Sequence, residues 1–190
     1  VKISLNQIFK DPTVKAIAKY IEEGIKTDYL AIEQVEEEEY YETSSAQKRM
    51  FMLQQFDLES VGYNITTALG LKGNLEIDKV GEIFAKLINR HETLRTSFEM
   101  RSGRVVQIIN NEVDFEIKYL EEREEAMEEI IKDFIRPFDL GQAPLFRVAI
   151  VKMVEDQYLM AFDMHHIISD GISMALLTDE FVKLYQGQQL

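Results

Sequence analysis

The sequence contains no cysteine, only three prolines and three histidines, and too little positive charge to balance its negative charge. The lack of cysteine excludes disulfide bonds, thiolate metal sites and a cysteine nucleophile, and it fits a reducing cytoplasm, which is the predicted location. Lys and Arg number 21 against 34 Asp and Glu, which gives a net charge of −13. Nucleic acids and anionic membranes bind clustered positive charge, so neither is expected as a partner. No apolar run approaches the roughly 20 residues that span a bilayer, and the first residues do not form a signal peptide.

The composition that remains is that of a globular protein, because 46% of the residues are hydrophobic. Residues 1–25 predict two short helices, the second capped by Thr13 and running to about Glu23. Two such helices cannot bury a core by themselves, so we expect them to end a preceding domain of a longer chain. Residues 26–42 are expected to be an extended acidic linker, since six of the ten residues from Glu33 to Glu42 are Glu.

Residues 43–190 carry a continuous pattern of helices and strands that predicts one α+β lobe. Helices are expected from Ser44 or Ser45 to Phe56, and at Glu76–His91, Glu121–Phe134 and Ile172–Tyr185. Strands are expected at Asn64–Lys72, Arg95–Met100, Val105–Ile109, Phe115–Tyr119, Leu145–Val154 and Tyr158–Met164. Turn signals at Gly73-Asn74, Ser102-Gly103 and Glu155-Asp156-Gln157 join several of these strands into hairpins. The order of elements predicts an α/β sandwich, with a mixed, largely antiparallel sheet covered by helices.

The best place for chemistry is the segment His165-His166-Ile-Ile-Ser-Asp170-Gly171, which follows the last strand and opens the last helix. Backbone N–H groups and the positive end of the helix dipole converge at such a junction. Adjacent strand residues point to opposite faces, so only one of the two histidines can enter a given pocket and no metal site is expected. Asp170 can cap the helix or orient the loop through an arginine, and Gly171 permits close approach of a backbone.

This segment resembles the HHxxxDG signature of the condensation domains of nonribosomal peptide synthetases. Two other segments resemble motifs of the same family in the same order, namely Ser44-Ser45-Ala-Gln-Lys-Arg49-Met and Arg90-His91-Glu-Thr-Leu-Arg95-Thr-Ser-Phe. The first 23 residues resemble the last two helices of a peptidyl-carrier domain. The resemblance implies a lobe of the chloramphenicol acetyltransferase fold in residues 43–190, a carrier remnant in residues 1–25 and a linker between them. It also implies that a second lobe, absent from this chain, completes the domain.

The resemblance assigns the catalytic role to His166, either as a general base or as a hydrogen-bonding group that positions the attacking amine or stabilises the tetrahedral intermediate. His165, Asp170 and Gly171 are expected to serve the structure of the loop, with Asp170 paired to an arginine. Arg95 is a candidate partner, and Arg49 and Arg90 are expected to be scaffold. His91 is expected to cap its helix. The lobe is expected to bind no cofactor and no metal, because its substrates arrive as thioesters on the phosphopantetheine of carrier domains.

The implied partners are an upstream donor carrier domain, a downstream acceptor carrier and adenylation domain, and the second lobe. Without that lobe the 190-residue chain is expected to be inactive and to self-associate. An epimerisation domain of the same fold is an open alternative, and so is a non-catalytic lobe that docks carriers. A heterocyclisation domain is disfavoured, because its motif begins with Asp where this chain has His165.

Overall fold

The computed structural model describes residue 3 and residues 5–23, 34–121, 132–153 and 156–190. It divides into two compact units, Val1–Glu37 and Glu38–Leu190. In the first unit, α1 covers Leu5–Lys10 and α2 covers Val14–Glu23. Thr13 caps α2, because its Oγ1 accepts a hydrogen bond from the N–H of Ala16 at 3.2 Å. The side chain of Val14, at the start of α2, is 86% exposed.

The second unit contains three long helices among its described residues, α3 at Ser45–Phe56, α4 at Ile77–Arg90 and α5 at Gly171–Tyr185. Ser44 caps α3 through a capping box with Gln47, in which each side chain accepts from the other residue's backbone N–H. A 3₁₀ turn, Glu92–Arg95, follows α4. Arg95 therefore precedes the next strand instead of starting it, because Thr96 Oγ1 donates to the Glu92 carbonyl and closes the turn.

The strands of this unit form two sheets within the described residues, where the sequence predicted one. The first sheet has the order β1-β4-β3 and the second has the order β2-β7-β6-β5. All pairs are antiparallel except β5 with β6. The strands are β1 Tyr41–Glu42, β2 Asn64–Lys72, β3 Thr96–Arg101, β4 Arg104–Ile109, β5 Ile117–Glu121, β6 Phe146–Lys152 and β7 Gln157–His165.

The sequence predicted the β2 strand and the β3–β4 hairpin from local signals. β2 occupies the nine alternating residues of the prediction. Ser102 and Gly103 both have positive φ, 48° and 77°, as the tight hairpin turn requires. Several strand boundaries differ from the prediction by one or two residues, and β5, for example, starts two residues later than predicted. Strand β1 lies within the segment predicted as linker.

The hydrophobic core lies between α4, α5 and the second sheet. Phe84 of α4 stands at its centre, with ring centroids 5.4–6.4 Å from those of Phe115, Phe146, Phe162 and Phe181. Strand β6 is buried along most of its length. This packing fixes the end of β7 and the start of α5, and the segment that joins them carries the candidate chemistry.

Three predicted features fall wholly or partly outside the described residues. These are residues 24–33, which include the first part of the linker, residues 122–131 of the acidic helix, and residues 154–155 of a turn. Residues 132–134 of that helix are helical, whereas Glu121 belongs to β5. Within the part of the chain that is described, no helix combines the length and the apolar character needed to cross a bilayer.

Candidate active site

The end of β7 sends its two consecutive histidines in opposite directions. The N–H of His165 donates to Leu145 at 2.9 Å, and the N–H of His166 donates to Tyr63 at 2.8 Å, so the pairing with β2 continues one residue beyond the strand. Side chains alternate along paired strands. His165 is accordingly fully buried, whereas His166 is exposed.

The ring of His166 is held in one tautomer by the loop that follows it. Its Nδ1 lies 2.7 Å from the carbonyl oxygen of Ser169. A carbonyl only accepts hydrogen bonds, so Nδ1 carries the proton, and Nε2 of the neutral ring keeps a free lone pair. The exposed imidazole is therefore oriented to accept a proton or a hydrogen bond at Nε2.

His165 has the opposite arrangement, suited to holding the loop. Its Nδ1 accepts a hydrogen bond from the N–H of Ile167 at 3.0 Å, and Phe138 meets the ring edge-on at a centroid distance of 6.2 Å. Burial, with a smaller contribution from the charge of His166, lowers the pKa of His165 to about 4. His165 is therefore neutral at physiological pH.

Two other motif segments reach the same loop. Thr93 Oγ1 donates to the carbonyl of Ile168 at 2.8 Å. Gln47 Nε2 lies 3.5 Å from the carbonyl of Ile167, a long and weaker contact. Segments far apart in sequence thus converge on the backbone that carries His166.

Asp170 caps α5, which is the first of the two roles that its position suggested. Its Oδ1 accepts hydrogen bonds from Ser173 N–H at 2.8 Å and from Ser173 Oγ at 2.7 Å. These bonds, the backbone one first, lower the pKa of the Asp170 carboxyl. The predicted pairing with Arg95 is not made, because Arg95 donates to the Asn110 carbonyl at 2.9 Å and to Glu92 at 3.2 Å.

The remaining predicted residues lie around the loop. An added Cβ at Gly171 would meet no atom of the described residues within 4 Å, so packing against this part of the chain does not require glycine there. Arg49 is exposed on α3. Arg90 donates to Glu180 of α5 at 3.3 Å, and His91 Nε2 lies 2.5 Å from the same carboxylate. The ring of His91 therefore pairs with Glu180, while the backbone of His91 forms the C-cap of α4.

Two buried carboxylates were missed from the sequence. Glu180 is 6% exposed and Asp163 is fully buried. Asp163 pairs with Arg147 at 2.8 Å. A single carboxylate within an otherwise apolar strand indicates that Asp163 is buried, but the spacing of residues along the chain does not identify Arg147 as its partner. Among the residues described, no three His, Asp or Glu side chains cluster in a way that could hold a metal ion.

Replacing Asp170 with alanine is expected to lower the melting temperature of this chain by about 2–4 °C, because α5 loses its N-cap. Asp170→Ser should recover most of the lost stability, since a serine oxygen also caps a helix.

The lowered pKa of Asp170 means that the stabilisation by the cap is present above the ordinary pKa of 3.8 and is lost as pH falls through the pKa of the folded state. Thermal melts at pH 7 and pH 2.5 measure this. A cap-restored Asp170→Ser protein that is inactive in the intact domain would assign the carboxylate a further role.

Comparison with known proteins agrees with this architecture. The family model named Condensation domain matches residues 37–190. Gramicidin S synthase 2 of Brevibacillus brevis and bacitracin synthase 3 of Bacillus licheniformis are each 47% identical over 189 residues. These matches cover 100% of this chain, which spans only 4% and 3% of the two synthases.

Solved structures share the fold. The starter condensation domain of a rhizomide synthetase matches with a TM-score of 0.70 at 24% identity, over 79% of this chain and 39% of that chain. The first condensation domain of the calcium-dependent antibiotic synthetase also matches with a TM-score of 0.70, at 21% identity. The predicted α+β lobe of the chloramphenicol acetyltransferase type is thereby confirmed. Since the family model covers most of the sequence and the fold agrees with it, the chain belongs to the condensation-domain family of nonribosomal peptide synthetases.

Proposed function

We propose that this chain is part of a domain that forms an amide bond between two carrier-bound acyl groups. The acceptor's amine attacks the thioester carbonyl of the donor, a C–N bond forms, the C–S bond breaks, and the donor's thiol leaves as the amine loses a proton. The observation that carries the proposal is the exposed Nε2 of His166, left free by the bond from Nδ1 to Ser169. The thioester is already activated, so no nucleophile from the protein is required.

His166 acts on the attacking amine, either by accepting its proton or by a hydrogen bond that orients it. His165 and Asp170 keep the loop in place through Ile167 and Ser173. Gly171 leaves open space at the start of α5. Arg90 and Arg95 serve the scaffold through the hydrogen bonds described above, and we assign Arg49 to the scaffold as well.

The partners follow from this chemistry. Both substrates arrive on the phosphopantetheine of carrier domains, and an adenylation domain supplies the acceptor. The lobe itself binds no cofactor. Residues 1–25 are the end of a donor carrier, residues 26–42 are a linker, residues 43–190 are the lobe, and the whole works in the cytoplasm. His166 is exposed, and the rhizomide domain is more than twice as long as the part matched; the remainder of such a domain forms the other wall of the site.

The test uses the intact synthetase module that contains this chain, with donor and acceptor carriers loaded as thioesters. The expected result is an acceptor-bound dipeptide, detected by mass spectrometry after thioester cleavage. An acceptor with an acetylated amine is the matched control and should give no product. Absence of amide above a carriers-only background would overturn the proposal. Inversion of the donor's α-carbon without amide formation would instead identify an epimerisation domain.

A further inference from the structure

A preformed cavity of about 190 Å³ lies beside the loop that carries His166. Its walls come from the 3₁₀ turn after α4, the end of β7 and the start of α5. Much of the lining is apolar, including Leu94, Met164 and Leu177, and Ser169 and Ser173 supply polar atoms. An apolar cavity of about 150 Å³ is large enough to bind benzene. This cavity therefore has room for an aliphatic or small aromatic side chain.

The cavity lies on the same side of the second sheet as the reactive histidine. Met164 and His166 are two residues apart on a strand whose pairing continues through His166, so their side chains leave the same face. Ser169, whose carbonyl fixes the ring of His166, is itself part of the lining. A group bound here would therefore contact the residue whose carbonyl orients the ring of His166.

The walls are fixed by interactions that need no ligand. His91, another lining residue, is held by Glu180 of α5 at 2.5 Å. Thr93 holds the carbonyl of Ile168 at 2.8 Å. A larger cleft of about 620 Å³ lies along α4 and shares no lining residue with the catalytic loop. Only the smaller of these two spaces is coupled to His166 by hydrogen bonds.

We propose that this cavity binds the side chain of one of the two carrier-bound aminoacyl groups and so contributes to substrate selectivity. The inference rests on the proposed function, because it requires aminoacyl thioesters to reach His166. A side chain seated in the cavity orients the thioester or amine to which it is attached, and such positioning governs the rate. Filling the cavity should penalise large side chains much more than small ones.

The test lets two aminoacyl substrates compete in the intact module and measures the ratio of their kcat/KM values. Ser173 is exposed and lines the cavity. Its backbone N–H donates to Asp170, and this bond does not depend on the side chain, so the Ser173→Leu variant should fold. The ratio of kcat/KM for leucyl over alanyl substrates is expected to fall at least about 10-fold. Leu176→Ala, which widens the lining at a half-exposed position, should raise the ratio of phenylalanyl over leucyl substrates. Ala175→Leu adds the same side chain to α5 outside the cavity and should leave both ratios unchanged.

Two arms identify which substrate uses the cavity. One arm varies the donor against a glycyl acceptor, and the other varies the acceptor against a fixed donor. A ratio change confined to one arm assigns the cavity to that substrate. Unchanged ratios in both arms, for both Ser173→Leu and Leu176→Ala, with dipeptide still forming, would overturn this inference alone. Absence of dipeptide from the wild-type module with every substrate would overturn the proposed function as well.

Discussion

Replacing His166 with alanine is expected to lower the rate of amide formation by the intact domain by about 10²–10⁴-fold, the usual contribution of a positioned acid–base group. The physical reason is the fixed tautomer. The hydrogen bond from Nδ1 to the Ser169 carbonyl, at 2.7 Å, leaves Nε2 as the free acceptor. Alanine removes that acceptor. The measurement is single-turnover dipeptide formation from loaded carriers.

The glutamine variant separates the two roles left open for His166. A glutamine amide can still form hydrogen bonds but does not titrate near neutral pH. If His166 is a base, His166→Gln should be as impaired as His166→Ala, because the amide cannot take the proton from the attacking amine. If His166 only positions the amine, His166→Gln should retain most of the rate.

The control for this experiment is the fold of the variant itself. His166 is exposed, so His166→Ala should keep the melting temperature of the wild type within about 2 °C. Near-wild-type turnover by a folded His166→Ala protein would contradict the catalytic assignment. A large loss of stability would show that the imidazole supports the loop.

Local signals in the sequence predicted the elements that depend only on near neighbours. Alternation of β-branched residues predicted β2, the capping serines Ser44 or Ser45 predicted the start of α3, and Ser102-Gly103 predicted the tight hairpin. Each of these elements is set by residues a few positions apart. Propensity and capping act over the same range.

Long-range pairings could not be predicted in the same way. The two residues of β1 are too few to show a period, and β1 exists because Tyr41 and Glu42 pair with β4 more than 60 residues later. The division into two sheets also depends on which edges pair, which periodicity does not encode. The position of Asp170 allowed either a helix cap or an arginine partner, and the family resemblance favoured the arginine. The local Ser173 N–H is a closer partner.

The buried pair of Asp163 and Arg147 is expected to dominate the response of the fold to single substitutions. Burial raises the pKa of the Asp163 carboxyl, although the charge of Arg147 opposes this. Burial, together with the charge of Arg136, lowers the pKa of Arg147 to about 10. Both shifts mean that the cost of desolvating the two charges outweighs their mutual attraction. The fold with the intact pair is therefore more stable than a fold in which one of the two charges is buried without the other.

Arg147→Met should therefore lower the free energy of unfolding by about 3–5 kcal/mol. It removes the partner of Asp163 and also the donor to the carbonyls of Arg136 and Pro137, at 2.7 and 2.8 Å. Asp163→Asn should cost less, because an amide oxygen still accepts from the guanidinium. Urea denaturation measures both variants. Arg101→Met, which breaks the two ion pairs of Arg101 with Glu39 and Glu99 near the surface, is the matched control and should leave the denaturation midpoint nearly unchanged.

The double variant Arg147→Met/Asp163→Leu gives the decisive comparison. Because both charges of this pair are removed, neither is left buried without its partner, so we expect the double variant to be more stable than Arg147→Met despite carrying one more substitution. It should not fully recover, since the Pro137 carbonyl still lacks its donor. Arg147 also stacks at 3.7 Å over Phe138, whose ring meets His165, so both variants should loosen the support beneath the catalytic loop. The single variant Asp163→Leu completes the cycle, and a double variant whose loss equals the sum of the losses of Arg147→Met and Asp163→Leu would show that Asp163 and Arg147 do not act as a coupled pair.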